Sequence, residues 1–270
     1  MGTTDGRLLM LKMYLDDTGT QDGSPVVGVG GLIGTEAQWA DFDARWRALL
    51  VEPVPGRTRI TKWSSFDCRW GENEFDGYNE AERDLATARF RTVIIESGLI
   101  SAANMVDNLA WTELVISSFG KRVPPAESVA LFQVIDRLRP WAANQSDGPN
   151  IAIYYDAGRN KGEIANLAAL LTQATNPFPQ IASFSFLPVA RSTPLQGADM
   201  IATEAFWYSK EILKYGDDAP MRAHLKDYVA RNFARGDGQL LDRAAIERDV
   251  ARRNSDGTIR TERTYWQWTL

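Results

Sequence analysis

The fold of this chain is decided by the stretch Tyr14-Leu15-Asp16-Asp17-Thr18-Gly19-Thr20, where an apolar run ends in two adjacent carboxylates. The apolar run begins at Leu8, and its alternation predicts a β-strand over 7–16. A second apolar run over 26–33 follows a short loop rich in Gly, Asp, Thr and Ser, which favours an antiparallel hairpin. A hydrophobic core does not require Asp at a strand end, whereas a site for a divalent cation or a covalent aspartyl intermediate does.

The composition is that of an ordinary globular protein. The chain has 270 residues, of which 44% are hydrophobic and 24% are charged. No Pro-, Gly- or Ser-rich linker and no block of charge divides it. We therefore expect a single domain over 1–270, with a core over 7–215 and a C-terminal extension over 216–270.

Charge and cysteine content narrow the class of function. The formal net charge of −5 and the pI near 5.1 argue against broad-surface binding of nucleic acid, but they are compatible with local contact. The single Cys68 excludes an internal disulfide and a thiolate metal site, so we expect a reducing, cytoplasmic setting. We also expect no signal peptide and no membrane span, since neither sequence pattern is present.

The rest of the chain interleaves helices with strands. Alternation predicts further strands over 99–106, 150–155 and 181–187, and helical spacing predicts helices over 36–50, 80–97, 108–118, 125–144, 161–174, 194–215, 219–234 and 239–253. The segment 51–79 is rich in Pro and Gly, and we predict only a short strand around Thr58 to Trp63 within it. We expect this segment to be mobile or to face a substrate. The order of elements indicates an α/β fold with a mixed sheet flanked by helices and a helical C-terminal extension.

Two further acids stand at positions comparable to Asp16. Asp156 ends the strand over 150–155, and Asp199 lies on the helix over 194–215, on one stripe with Gln196 and Thr203. The adjoining stripe of that helix consists of small residues, which allow the helix to lie close to a sheet: Ala198, Ala202 and Ala205. Hard divalent ions need several oxygen ligands, and a pair of them can activate water and stabilise the leaving oxygen in phosphodiester cleavage.

Each acid alone also has an ordinary structural explanation. Asp before Gly commonly forms turns, and Asp in the early turns of a helix interacts favourably with the helix dipole. The metal hypothesis therefore depends on the three acids occurring together with this order of strands and helices.

Three segments carry a resemblance to a known family. They are YLDDTGT (14–20), IYYDAGRN (153–160) and PLQGADMIA (194–202), and they resemble the signatures of the bacterial family called domain of unknown function 3800, which is regarded as ribonuclease-H-like. The resemblance implies metal ligands at Asp16, Asp156 and Asp199, with Gln196 beside them. The family usually has Glu and then Ser after the first Asp, whereas this chain has Asp17 and Thr18.

These observations lead to a functional hypothesis. We predict a ribonuclease-H-like nuclease that uses Mg²⁺ or Mn²⁺ to hydrolyse phosphodiester bonds of a nucleic acid. Asp17 is a further candidate ligand and Thr18 a supporting residue. Position and charge make Lys62, Arg159 and Lys161 candidate phosphate contacts.

Two other functions are compatible with the sequence. One is a ribonuclease-H-like scaffold used only for binding, in a defence or mobile-element system. The other is an aspartyl-nucleophile phosphatase, because 16–20 resembles the phosphorylation loop of P-type ATPases and 216–218 resembles the late acidic motif of haloacid-dehalogenase-like phosphatases. That late motif should follow a buried strand, but here it follows a predicted helix.

Two remaining features do not settle the function. The only His, His224, has no evident partner for acid–base chemistry. Trp266 and Trp268 share a strand face that could stack on bases or close a core or a dimer interface. The oligomeric state, a homodimer included, stays open.

Overall fold

The hairpin predicted from the opening stretch lies at the centre of a six-stranded sheet. A computed structural model of the protein describes residues 10–120, 123–144, 150–156, 161–173, 178–216, 219 and 239–256. The strands are β1 (Met10–Thr18), β2 (Val26–Thr35), β3 (Ile100–Asp107), β4 (Asn150–Asp156), β5 (Ile181–Leu187) and β6 (Gln239–Leu241). The helices are α1 (Glu36–Val51), α2 (Ser65–Trp70), α3 (Glu80–Glu96), α4 (Ala126–Ala143), α5 (Lys161–Leu171), α6 (Thr193–Tyr215) and α7 (Arg243–Asp256). Shorter helical pieces are Asn73–Phe75, Asn108–Ala110, Trp111–Ile116, Ser117–Phe119 and Val189–Arg191.

The strand order is β5-β4-β1-β2-β3-β6. Strands β1, β2 and β3 are antiparallel neighbours, β4 pairs parallel with β1, and β5 pairs parallel with β4. These directions follow from the connections, since a short turn joins β1 to β2 and a crossover with helices leads from β3 to β4. Order and directions are those of the ribonuclease-H-like layout, so the predicted fold class is confirmed.

Each face of the sheet has its own hydrophobic core. On β1 the side chains of Leu11, Met13 and Leu15 pack with helix α4, whereas Tyr14 packs on the opposite face with α1, α3 and α6. The predicted stripe of α1 is buried on that second face and consists of Trp39, Phe42, Trp46 and Leu50. The predicted alternation of β1 is therefore confirmed, and it determines which acids share a face.

Helix α6 lies unusually close to the sheet because the residues at the contact are small. A Cβ atom on Gly30 would lie 2.6 Å from the backbone of Ala202. Ala198 and Ala202 are fully buried, as the small stripe predicts. In the β1–β2 register Gly30 pairs with Asp16, so this contact also fixes the height of α6 relative to Asp16.

The strand predicted around Thr58 to Trp63 is wrong. The backbone N–H groups there do not pair with a neighbouring strand: Ile60 donates to the Leu50 carbonyl of α1 at 2.9 Å, Lys62 to the Glu74 side chain at 3.3 Å and Trp63 to the Gln196 side chain at 2.9 Å. Helix α2 follows at Ser65–Trp70 and was not predicted.

The helix predicted over 239–253 is corrected at its start. Gln239–Leu241 forms β6, which pairs parallel with β3 at the edge of the sheet, and helix α7 begins only at Arg243. The sheet edge thus overrides the helical preference of these residues. Apart from Ala219, the predicted helix over 219–234 lies outside the described residues, and so do His224 and the tail with Trp266 and Trp268. Within the described part of the chain, no helix has the length and apolarity needed to cross a membrane.

Candidate functional site

Asp16 and Asp156 lie at the ends of two neighbouring parallel strands. The register pairs Tyr14 with Tyr154, and these rings stack with centroids 4.7 Å apart. Because side chains alternate along a strand, the acids two residues later lie on the same face as the stacked rings. One oxygen of each acid accepts a backbone hydrogen bond of 2.9 Å, from Asp17 N–H to Asp16 and from Val189 N–H to Asp156.

Asp199 reaches the same face from helix α6. The helix begins with Ser192 as its N-cap and Pro194 in its first turn, which fixes the phase of the positions that follow. Asp199 Oδ2 accepts a hydrogen bond from the backbone N–H of Ser65 at 2.8 Å, and Oδ1 accepts one from the Thr203 hydroxyl at 3.4 Å. The third predicted acid therefore lies between the sheet and helix α2.

Electrostatic repulsion links the three carboxylates. Burial raises the pKa of Asp16 well above its usual value, and the charges of Asp199, Asp17 and Asp156 raise it further. Burial also raises the pKa of Asp199, against hydrogen bonds from Ser65 and Thr203 that lower it. Asp16 is only 7% exposed, and no ion pair between described residues involves any of the three acids. The cluster therefore favours a bound proton or a bound cation.

Asp17 lies on the other face of β1. Alternation places it on the side of Leu15 and Tyr155, and its Oδ1 accepts a hydrogen bond of 3.2 Å from Thr20. Burial raises the pKa of Asp17 to about 6, and the nearby Asp156 charge acts in the same direction. Thr18 is the last residue of β1 and pairs with Gly28 of β2. Asp17 thus lies on the opposite face of the sheet from Asp16, Asp156 and Asp199, although the charges of the four acids still interact.

Gln196 holds the segment before α2 against α6. Its side-chain oxygen accepts hydrogen bonds of 2.9 Å from both the Trp46 indole N–H and the Trp63 backbone N–H. The side chain is almost fully buried. Gln196 therefore lies one turn from Asp199, as the stripe predicts, and positions the wall that carries Ser65.

Of the three predicted phosphate contacts, only Lys62 has its side chain within the described residues. Lys62 lies beside Trp63 in this wall and is partly buried. Arg159 lies outside the described residues, and so does the side chain of Lys161, whose backbone begins α5. Ser65 is the one close partner of Asp199 that no sequence pattern indicated, because its contact is a backbone N–H from a segment without periodicity.

The carboxylates suit a hard cation by their chemistry, since Mg²⁺ and Mn²⁺ prefer oxygen ligands. The observed side chains do not form a closed shell, however. Across the described ranges, no group of three or more His, Cys, Asp and Glu side chains is arranged to hold a metal ion. Asp156 and Asp199 each direct one carboxylate oxygen to a backbone N–H, that of Val189 and that of Ser65.

The context required by the phosphatase alternative is absent. Its late acidic motif should follow a buried strand, but Gly216 directly follows helix α6, which ends at Tyr215. Asp217 and Asp218 themselves lie outside the described residues. The Thr18-Gly19-Thr20 segment is the exit from β1, where Gly19 has a φ of +70° and a Cβ would lie 2.0 Å from the Val26 carbonyl oxygen.

Comparison with known proteins bears on the fold only. No family model and no curated protein matches this sequence. Among solved structures, the chain is similar to Bst-RNase HIII in complex with Mn²⁺, with 16% sequence identity and a TM-score of 0.41. The likeness covers 88% of this chain and 65% of the other, so this chain spans less than two thirds of that protein. A likeness at this level carries no residue role, metal or substrate, and the fold assignment rests on the strand order and directions.

Proposed function

We propose that this protein is a divalent-metal-dependent hydrolase that cleaves phosphodiester bonds of a nucleic acid. Asp16, Asp156 and Asp199 would hold Mg²⁺ or Mn²⁺. One observation carries the proposal: three acids from β1, β4 and α6 lie on one face at one end of the sheet, and their charges raise the pKa of Asp16. Such repulsion destabilises a core unless a proton or a counter-charge neutralises it, and a bound cation supplies that counter-charge.

The bound ion and the residues of the chain would have different roles in the reaction. When bound, the ion would activate a water and stabilise the charge that develops on the leaving oxygen. The residues of the chain hold the acids in place, since Ser65 and Thr203 orient Asp199 and the Val189 N–H orients Asp156. Asp17, on the other face, would act through its charge or through Asp16, whose carboxylate accepts its backbone N–H.

The family resemblance supports the same set of acids. The segments 14–20, 153–160 and 194–202 carry their Asp residues on β1, β4 and α6, and the resemblance implies metal ligands at these positions. We therefore infer membership of the domain of unknown function 3800 family and a bacterial, cytoplasmic protein. Lys62, Arg159 and Lys161 stay proposed contacts for substrate phosphates.

The test is metal-dependent cleavage by the purified full chain. We expect single- or double-stranded DNA or RNA to be cut with Mn²⁺ or Mg²⁺ and left intact with EDTA. Asp16→Asn and Asp156→Asn should abolish cleavage while circular dichroism shows a folded protein. Asp41→Asn is the matched control, because Asp41 is exposed on α1 and pairs with Arg45 away from the cluster. Absence of both cleavage and Mn²⁺ binding would overturn the proposal.

A second candidate function is supported by a specific observation. The described carboxylates do not form a closed metal shell, which suits a ribonuclease-H-like scaffold that binds a nucleic acid or a protein without catalysis. Titration calorimetry with Mn²⁺ separates the two functions. Heat of binding that disappears in Asp16→Asn supports the hydrolase, and absence of heat in the wild type supports the scaffold.

A further inference from the structure

A cavity of about 470 Å³ opens between helices α2, α3 and α6. Ser65 and Thr203 line it, and these are the two residues whose hydrogen bonds hold Asp199. The cavity therefore adjoins the two residues that contact Asp199 of the proposed metal site. Its volume falls within the range of roughly 300 to 1,000 Å³ that is usual for small-molecule sites.

Aromatic rings form much of the cavity wall. Trp63, Trp70 and Trp207 all line it, and Trp70 packs against Trp207 edge to face with centroids 6.5 Å apart. Trp63 is buried in the core, but Trp70 is 54% exposed and the neighbouring Phe66 is 57% exposed. Trp70 is therefore the exposed ring of the cavity wall, and its large aromatic surface can contact a planar ligand.

Cations accompany these rings. The Arg69 guanidinium lies 3.9 Å from the centre of the Trp207 ring and 5.7 Å from that of Trp70. The Lys210 ammonium lies 4.6 Å from the centre of the Trp207 ring. Aromatic rings interleaved with Arg and Lys are the surface on which unstacked bases of single strands bind.

The acidic residues of the wall restrict what can enter. Glu80, Asp84 and Glu204 line the cavity together with Arg69 and Arg83, so acidic side chains outnumber basic ones in its wall and disfavour a phosphate group inside it. Carboxylates accept hydrogen bonds from the amino groups of bases. A neutral, planar heterocycle with N–H donors is therefore favoured over a phosphate, which agrees with the overall net charge of −5.

We propose that this cavity binds an unstacked base of a single-stranded nucleic acid, with the adjoining phosphodiester directed towards Asp199. The inference rests on the proposed hydrolase function and specifies its substrate class. Trp70 supplies the stacking face. Arg69 and Lys210 lie against the rings through cation–π contacts, and the phosphates stay outside the cavity.

The test measures binding apart from cleavage. Fluorescence anisotropy of a labelled single-stranded oligonucleotide is followed in EDTA with the full chain. We expect Trp70→Ala to weaken binding roughly tenfold, as for the loss of one base–aromatic stack, and Trp70→Phe to restore most of it. Tyr215→Ala is the matched control, because Tyr215 is an exposed ring on the same helix as Trp207 but does not line the cavity. The wild type should bind an otherwise identical strand with abasic sites as weakly as Trp70→Ala binds the intact strand.

The results separate this inference from the function on which it rests. Equal affinity of wild type and Trp70→Ala, or of intact and abasic strands, would overturn the base site even if Mn²⁺-dependent cleavage is present. A selective loss in Trp70→Ala that Trp70→Phe rescues supports the base site even if no cleavage is found. Circular dichroism of each variant controls for folding, and a misfolded Trp70→Ala is replaced by Trp70→Leu, which removes the ring but keeps an apolar side chain.

Discussion

Asp199 accepts a hydrogen bond from the backbone N–H of Ser65 at 2.8 Å, across 134 residues of sequence. Ser65 is the first residue of α2, and its side-chain oxygen in turn accepts a hydrogen bond from the Trp63 indole N–H. One turn earlier on α6, Gln196 accepts the Trp63 backbone N–H. The irregular segment between α1 and α3 is therefore bonded to the helix that carries the third acid, and it forms a wall of the site.

Replacing Ser65 by Pro tests this bond, because Pro lacks the N–H but is tolerated at the first position of a helix. The preceding Ser64 already has the extended conformation that a residue before Pro requires, with φ −139° and ψ 118°. We expect Ser65→Pro to lower the free energy of unfolding by roughly 1 to 3 kcal/mol, as for a buried acceptor that loses its donor. Urea denaturation of the purified variant measures this change.

Ser65→Ala is the control for that experiment. It keeps the backbone N–H that Asp199 accepts and removes the hydroxyl, which accepts the Trp63 indole N–H and also interacts with Asp199. Both variants lack this hydroxyl, so they differ in the backbone N–H. If the two variants unfold at the same urea concentration, the backbone bond to Asp199 contributes nothing measurable. Metal-dependent cleavage should follow the same order, with a larger loss in Ser65→Pro.

Asp16→Asn should stabilise the protein when no metal is present. The substitution keeps an oxygen that can accept the Asp17 N–H, while it removes a buried charge that three other carboxylates repel. We expect the free energy of unfolding in EDTA to rise by roughly 1 to 2 kcal/mol. Added Mn²⁺ should raise the melting temperature of the wild type and leave that of Asp16→Asn unchanged. A variant less stable than the wild type in EDTA would contradict the repulsion.

The elements with regular periodicity were predictable from the sequence. Alternation in β1 and the small stripe of α6 depend on neighbours within a few residues, so they gave the faces of Asp16 and Asp199 correctly. The hairpin, the crossover and the late helix then restricted the sheet to few arrangements. The positions of the three acids on β1, β4 and α6 followed from those local rules.

Contacts between distant segments were not predictable in this way. The strand expected around Thr58 to Trp63 is absent because N–H groups of this segment bond to Leu50, Glu74 and Gln196, which no local pattern indicates. Strand β6 forms because the edge of β3 accepts Gln239 to Leu241. The bond between Ser65 and Asp199 likewise depends on how α2 is seated on α6.

Gly30→Ala should disturb both the core and the site. The new Cβ would lie 2.6 Å from the backbone of Ala202, which cannot move without moving α6. We expect a loss of roughly 1 to 3 kcal/mol in the free energy of unfolding, together with reduced cleavage because Asp199 shifts with the helix. The control is Gly162→Ala in the first turn of α5, where a Cβ meets nothing within 4 Å and helix propensity predicts no loss of stability. Equal stability of the two variants would show that the close contact is unimportant.

Cys68 should be nearly inert in the folded protein. Burial raises the pKa of its thiol to about 11, and the residue is only 2% exposed. Because the thiolate is the reactive form, we expect reaction with a disulfide reagent at pH 8 to be roughly a hundredfold slower than in denaturant. The rate is followed by release of the coloured thiol. A native rate equal to the denatured rate would mean that the wall of the cavity opens freely.

The pH dependence of stability should identify the shifted acid on the other face of β1. The pKa of Asp17 is about 6 in the folded chain against an ordinary value of 3.8, so between these values the folded state holds a proton that the unfolded state has lost. The contribution of this proton to the free energy of unfolding is therefore fully present below pH 3.8, and it is lost as the pH rises through about 6. In EDTA, the free energy of unfolding of the wild type should fall relative to Asp17→Asn by roughly 1 to 3 kcal/mol over this window. Urea denaturation at several pH values measures the difference, and a difference that stays flat or grows with pH would show that Asp17 ionises normally.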